Sequence, residues 1–67
     1  MVCYVNNIAQ EATDSQLLKD LLSTHGIVQP HGVAVAVNDA VVPRAEWSTR
    51  AVQPQDRITI IRATQGG

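Results

Sequence analysis

The sequence predicts an α+β fold in two layers, with one helix packed on a mixed sheet of about four to five strands. Three observations lead there. A single leucine stripe, Leu17, Leu18, Leu21 and Leu22, has helical spacing and therefore one apolar face to bury. Around it lie short runs rich in Val and Ile, each bounded by Asn, Asp, Gly or Pro. The chain has 67 residues, 45% of them hydrophobic, so one small domain with one aliphatic core uses nearly all of it.

Met1 to Val5 reads as the first strand, Asn6-Asn7 as a turn and Ile8 to Ala12 as the return strand. Thr13 starts the helix: with Gln16 three residues on it forms a capping box, and Asp14 suits the positive helix N-terminus. Lys19, Asp20 and Ser23 take the polar face, and Gly26 ends the helix as its C′ residue. After Pro30 comes the strand Val33-Ala34-Val35-Ala36-Val37, whose three valines share a face while the alanines leave room for close approach on the other. Asn38-Asp39 is a hairpin signal, weaker than Asn-Gly because Asp tolerates positive φ less readily.

Ala40 to Val42 forms a short return strand that Pro43 stops. The stretch from Pro43 to Val52 is irregular, with Trp47 as its plug. Pro54-Gln55-Asp56 turns the chain into a last strand, Arg57 to Ala63. Alternation puts Ile58 and Ile60 on one face and Thr59, Ile61 and Ala63 on the other. With the first pair against the helix, Ile61 stays outside as an apolar docking point. Placing the two terminal strands side by side at the sheet centre gives the β-grasp, or ubiquitin-like, arrangement; periodicity suggests that pairing without establishing it.

Composition excludes several classes of function. A net charge of −1, with Arg44, Arg50, Arg57 and Arg62 forming no run, provides no footprint for nucleic acid. No stretch nears the ~20 apolar residues of a membrane span, and the N-terminus lacks a signal-peptide pattern. One cysteine, Cys3, excludes an internal disulfide and suits a reducing compartment, so a cytoplasmic domain is expected. Cys3 lies mid-strand as a buried structural thiol, His25 sits near the helix C-terminus, and His31 belongs to a solvated loop. That set has no zinc spacing and is one ligand short of a tetrahedron. With no Ser/His/Asp set and no phosphate-cradling Gly loop, the chain is expected to bind no metal or cofactor and to be no enzyme.

The C-terminus carries the chemistry instead. Gly66 and Gly67 follow the last strand; without Cβ atoms they pass through a narrow site of another protein. The α-carboxyl, with a pKa of about 3.3–3.7, is ionised at neutral pH and can attack an activated phosphate. Ordinary frayed ends are also Gly-rich, so the tail needs the rest of the chain beside it. The expected organisation is a β-grasp domain over residues 1–63 and a flexible tail over 64–67, with Ile61, Ala63, Thr64 and Gln65 docking the partner.

The stretch Val41-Val42-Pro43-Arg44-Ala45-Glu46-Trp47, a turn with Asp56, an Ile-rich strand and Gly66-Gly67 resembles the ThiS sulfur carriers of thiamine biosynthesis. The likeness extends to the leucine helix and Val35-Ala36-Val37-Asn38, and so covers essentially the whole chain. The resemblance implies a β-grasp fold. It also implies that an E1-like adenylating enzyme uses ATP to activate Gly67, that Gly67 then becomes a thiocarboxylate, and that its sulfur goes to a thiazole synthase. Gly66 would permit insertion of the tail, a desulfurase or rhodanese-type protein would supply sulfur, and Pro43, Arg44 and Trp47 would be structural. Two departures stand out: Pro54-Gln55-Asp56, where the family often has Gly before Asp, and the polar Thr64-Gln65 before the glycines. A molybdopterin-synthase small subunit, another ubiquitin-like carrier or modifier, and a passive interaction module remain as alternatives.

Overall fold

The structure, a computed structural model, describes residues 1–27 and 31–62. In chain order the elements are β1 (Val2–Val5), β2 (Ile8–Glu11), α1 (Leu18–Thr24), β3 (Val33–Val37), β4 (Ala40–Val41), a 3₁₀ turn (Arg44–Glu46) and β5 (Arg57–Arg62). The strands form one mixed sheet in the order β2-β1-β5-β3-β4. β5 runs parallel to β1, with Val5 opposite Ile58, and antiparallel to β3 over Val33↔Arg62 to Val37↔Ile58. The terminal strands thus meet at the centre, which is the β-grasp arrangement.

Local chemistry explains the turns. Asn6 and Asn7 have φ of 50° and 70°, and Asn38 and Asp39 have φ of 52° and 71°. Both pairs are therefore type I′ turns, the type whose twist matches the strands they join. Helix α1 ends in a Schellman motif: Gly26, at φ 80°, donates to the Ser23 carbonyl, and Ile27 donates to that of Leu22. Buried Ile27 and Leu22 join the same core cluster.

The helix begins later than the capping-box reading expects. Gln16 does reach back, accepting the Thr13 N–H at Oε1 (3.1 Å), but Ser15 at φ 63° breaks the helical path. Thr13 to Gln16 is a separate turn, and α1 starts at Leu18. Leu17 is extended and bridged to Ala51, so it lies outside the stripe rather than in it. The first free helix N–H groups are met by tertiary carbonyls: Leu18 donates to Arg50 and Lys19 to Trp47, at 2.8 and 3.0 Å. Asp20, not Asp14, is the acidic residue of the first turn.

The core is aliphatic apart from one indole. Leu18, Leu21 and Leu22 pack with Cys3, Val5, Val35, Val37, Val42, Val52 and Ile58 on the helix-facing side of the sheet. Trp47 closes the irregular segment, its ring buried and its Nε1–H donating to the Val42 carbonyl at 3.0 Å. Asp56 is the only buried charged residue among those described. Its Oδ1 accepts from Asn38 Nδ2 (2.9 Å) and its Oδ2 from the Gln53 N–H (2.8 Å). One carboxylate thereby ties the turn before β5 to the β3–β4 turn, because a buried carboxylate stays only where donors meet it.

Candidate functional site

β5 leads to the tail, and its alternation sorts its side chains. Ile58 is buried and Ile60 half-buried on the helix side, while Ile61 is 58% exposed on the opposite face. Ile61 stands out because its cross-strand neighbour on β3 is Ala34. Ala36, next along β3, faces Thr59 on one side and Val41 on the other. Val41, at the sheet edge, is 76% exposed. The two alanines make a low floor between two aliphatic side chains, and half-buried Tyr4 lies on the same face beside β5, opposite Arg57. An uncharged floor flanked by exposed Ile and Val costs little to desolvate, which is what a docking surface needs.

The strand end itself is fastened on two sides. Asn6 Oδ1 accepts the Ile60 N–H at 2.8 Å, and the Asn6 N–H donates to the Ile58 carbonyl at 2.9 Å. Arg62 Nη2 donates to the His25 carbonyl at 3.1 Å, filling one of the open acceptors at the end of α1.

Of the expected site residues, Ile61 lies where alternation puts it. Ala63, Thr64, Gln65, Gly66 and Gly67 lie outside the described residues. Val41 was not foreseen as part of this face; only the pairing register, which brings it opposite Ala36, reveals it. Pro43 and Trp47 have the structural roles expected of them. Pro43 accepts the Glu46 N–H at the start of the 3₁₀ turn, and Trp47 anchors its end. Arg44 leaves its side chain exposed.

Cys3, His25 and His31 sit in separate settings. Cys3 is fully buried, and that burial, followed by the negative charge of Asp56, pushes its thiol pKa above the ordinary 9.0. A thiol kept protonated at neutral pH is a poor nucleophile. His25 Nε2 lies 2.6 Å from Gln10 Oε1, and His31 is exposed. Among the described residues no group of three or more His, Cys, Asp or Glu is placed to hold a metal ion, and no helix is long and apolar enough to cross a membrane.

Comparison with known proteins agrees with this geometry. The chain is 32% identical over 62 residues to the sulfur carrier protein ThiS of Escherichia coli (strain K12), covering 92% of each. A crystal structure of the thiamine biosynthesis protein ThiS from Geobacter metallireducens superposes with a TM-score of 0.82 at 25% identity, covering all of both chains. The ThiS family model matches residues 3–67, from within β1 to the terminal glycines. The chain belongs to the ThiS family.

Proposed function

We propose that this chain is a sulfur carrier of thiamine biosynthesis, a substrate of other enzymes rather than an enzyme itself. The observation that carries the reading is the family match, which extends to Gly66 and Gly67. The exposed aliphatic face around Ile61, on the strand that leads to those glycines, supports it.

The chemistry follows from the ionised terminal carboxylate. An E1-like enzyme brings one Gly67 carboxylate oxygen onto the α-phosphorus of ATP, and pyrophosphate leaves. The resulting acyl-adenylate carries AMP, a stable leaving group, where the free carboxylate would have to expel oxide. A persulfide sulfur, carried by a desulfurase or rhodanese-type protein, then displaces AMP at the acyl carbon to give an acyl disulfide. A partner thiol attacks the donor's sulfur of that bond, leaving as a protein disulfide and releasing the acyl sulfur with both electrons of the broken bond. The thiocarboxylate so formed keeps its negative charge mainly on sulfur and delivers it to a thiazole synthase. No side chain of the carrier takes part. Its contribution is placement: Ile61, Ala63, Thr64 and Gln65 meet the partner while Gly66 lets Gly67 enter. The five residues after Arg62 reach at most ~18 Å at about 3.3–3.6 Å each, enough to enter a pocket while the domain stays outside. ATP is consumed on the partner, and a reducing cytoplasm fits the single buried thiol.

Intact mass of the chain tests this after incubation with the E1-like enzyme of the same cell, ATP and a sulfur source. The expected product is heavier by the exchange of one oxygen for sulfur, and deletion of Gly67 abolishes it. An unmodified wild-type chain, beside an enzyme proven active on another carrier, would overturn the reading.

A further inference from the structure

β5 continues past the strand that supports it. Val5 is the last β1 residue to pair with β5, at Ile58, and at Asn6 the chain has already turned away. β5 nevertheless runs on through Ile60 and Ile61 to Arg62, with only β3 beside it as a strand. On the vacated side, the next ladder donor, the Ile60 N–H, finds the side-chain Oδ1 of Asn6 at 2.8 Å. The side chain thus continues a ladder that its own backbone has left. Asn6 can do so because its φ of 50° bends the main chain into the turn, a conformation Asn tolerates better than most residues.

We infer that Asn6 is a positioning residue for sulfur-carrier chemistry, holding the end of β5 so that Ile61 and the tail's point of departure keep a fixed relation. This rests on the carrier reading above. Arg62, hydrogen-bonded to the end of α1 and paired with Val33, holds the same strand end from the helix side. A strand end bonded along one edge frays more readily than one bonded along both. Fraying back to Ile58 would detach Ile61 from Ala34, so only the unfrayed fraction would dock productively. Apparent affinity falls in proportion to that fraction. The carboxylate and ATP are untouched by it, so the step after docking should keep its rate.

The test compares Asn6→Gly, which keeps the positive φ without strain and removes the acceptor, with Asn6→Asp, which keeps both. Two readouts are needed: amide hydrogen exchange at Ile60, and steady-state pyrophosphate release by the E1-like enzyme with ATP and a sulfur source. Asn6→Gly should speed Ile60 exchange at least about fivefold, the order expected for one lost hydrogen bond. It should raise KM for the carrier by a smaller factor than it speeds exchange, about twofold, with kcat unchanged, and Asn6→Asp should restore both. An unchanged KM would overturn the inference, as would failure of Asn6→Asp to restore both. A raised KM with unchanged Ile60 exchange would overturn it too, since Asn6 would then touch the partner directly. Failure of the carrier reading looks different: the wild-type chain itself would yield no pyrophosphate.

Discussion

Gln55 shows how much a single residue can tolerate. It follows Pro54 in a turn closed by the Asp56 N–H on the Gln53 carbonyl, and its φ is 70°. Pro at the second position and positive φ at the third is the type II pattern, whose third position favours Gly. The other non-Gly residues at positive φ are Asn6, Asn7, Ser15, Asn38 and Asp39, nearly all of the kind that accepts this region. Gln55 has no such excuse and is held by its surroundings: its N–H donates to the Val2 carbonyl at 2.7 Å, and Asp56 beside it is fastened on both oxygens. Gln55→Gly removes the steric cost, about 1–2 kcal/mol, and adds unfolded-state entropy of about 0.5–1 kcal/mol. The expected net is a stabilisation of about 0.5–1 kcal/mol, read as a higher urea midpoint at unchanged m-value. An unchanged or lower midpoint would mean that the turn is not strained.

Among the elements, α1 departs most from what its sequence implies. Thr13 and Gln16 have the capping-box spacing, yet only the glutamine half of the box forms, within a turn that precedes the helix. A capping Thr is worth about 1 kcal/mol. Because this one begins no helix, Thr13→Ala should cost under about 0.5 kcal/mol, while Ser15→Gly, which relieves φ of 63°, should stabilise. Thermal unfolding of the two variants decides it, and a loss of a full kcal/mol for Thr13→Ala would restore the capping role. The cause of the late start is tertiary. The Leu17–Ala51 bridge and the carbonyls of Trp47 and Arg50 join segments about thirty residues apart, and no local pattern announces them. The two Asn-led hairpins and the Gly26 stop were legible for the opposite reason, since their chemistry is confined to two or three residues. Ile61's exposure was legible as well, because it needs only a period of two.

Across the whole molecule, the two faces of the sheet differ in what they bury. The helix-facing side holds the buried Leu, Val and Ile residues, and Leu21→Ala should cost about 2–5 kcal/mol, a large share of what so small a domain has. The opposite face carries Ile61 and Val41, whose exposure leaves little to lose. Ile61→Thr and Val41→Thr keep strand propensity, so each should shift stability by no more than about 0.5 kcal/mol. In the adenylation assay the Ile61→Thr/Val41→Thr pair should raise KM about tenfold with little change in kcat. Unimpaired turnover would remove this face from docking. Val41's part in it was hidden from the sequence because it depends on which strand lies beside which. That order has a consequence of its own. The strand at the middle of the sheet, β5, is synthesised after the other four described strands, so β1–β2 and β3–β4 emerge from the ribosome as two separate hairpins with a strand-wide gap between them. Neither hairpin can close a core until Ile58 arrives, and the N-terminal strand must then wait for a partner more than fifty residues away. On topology alone, loop closure of that span is expected to be slower than growth of the seven-residue helix.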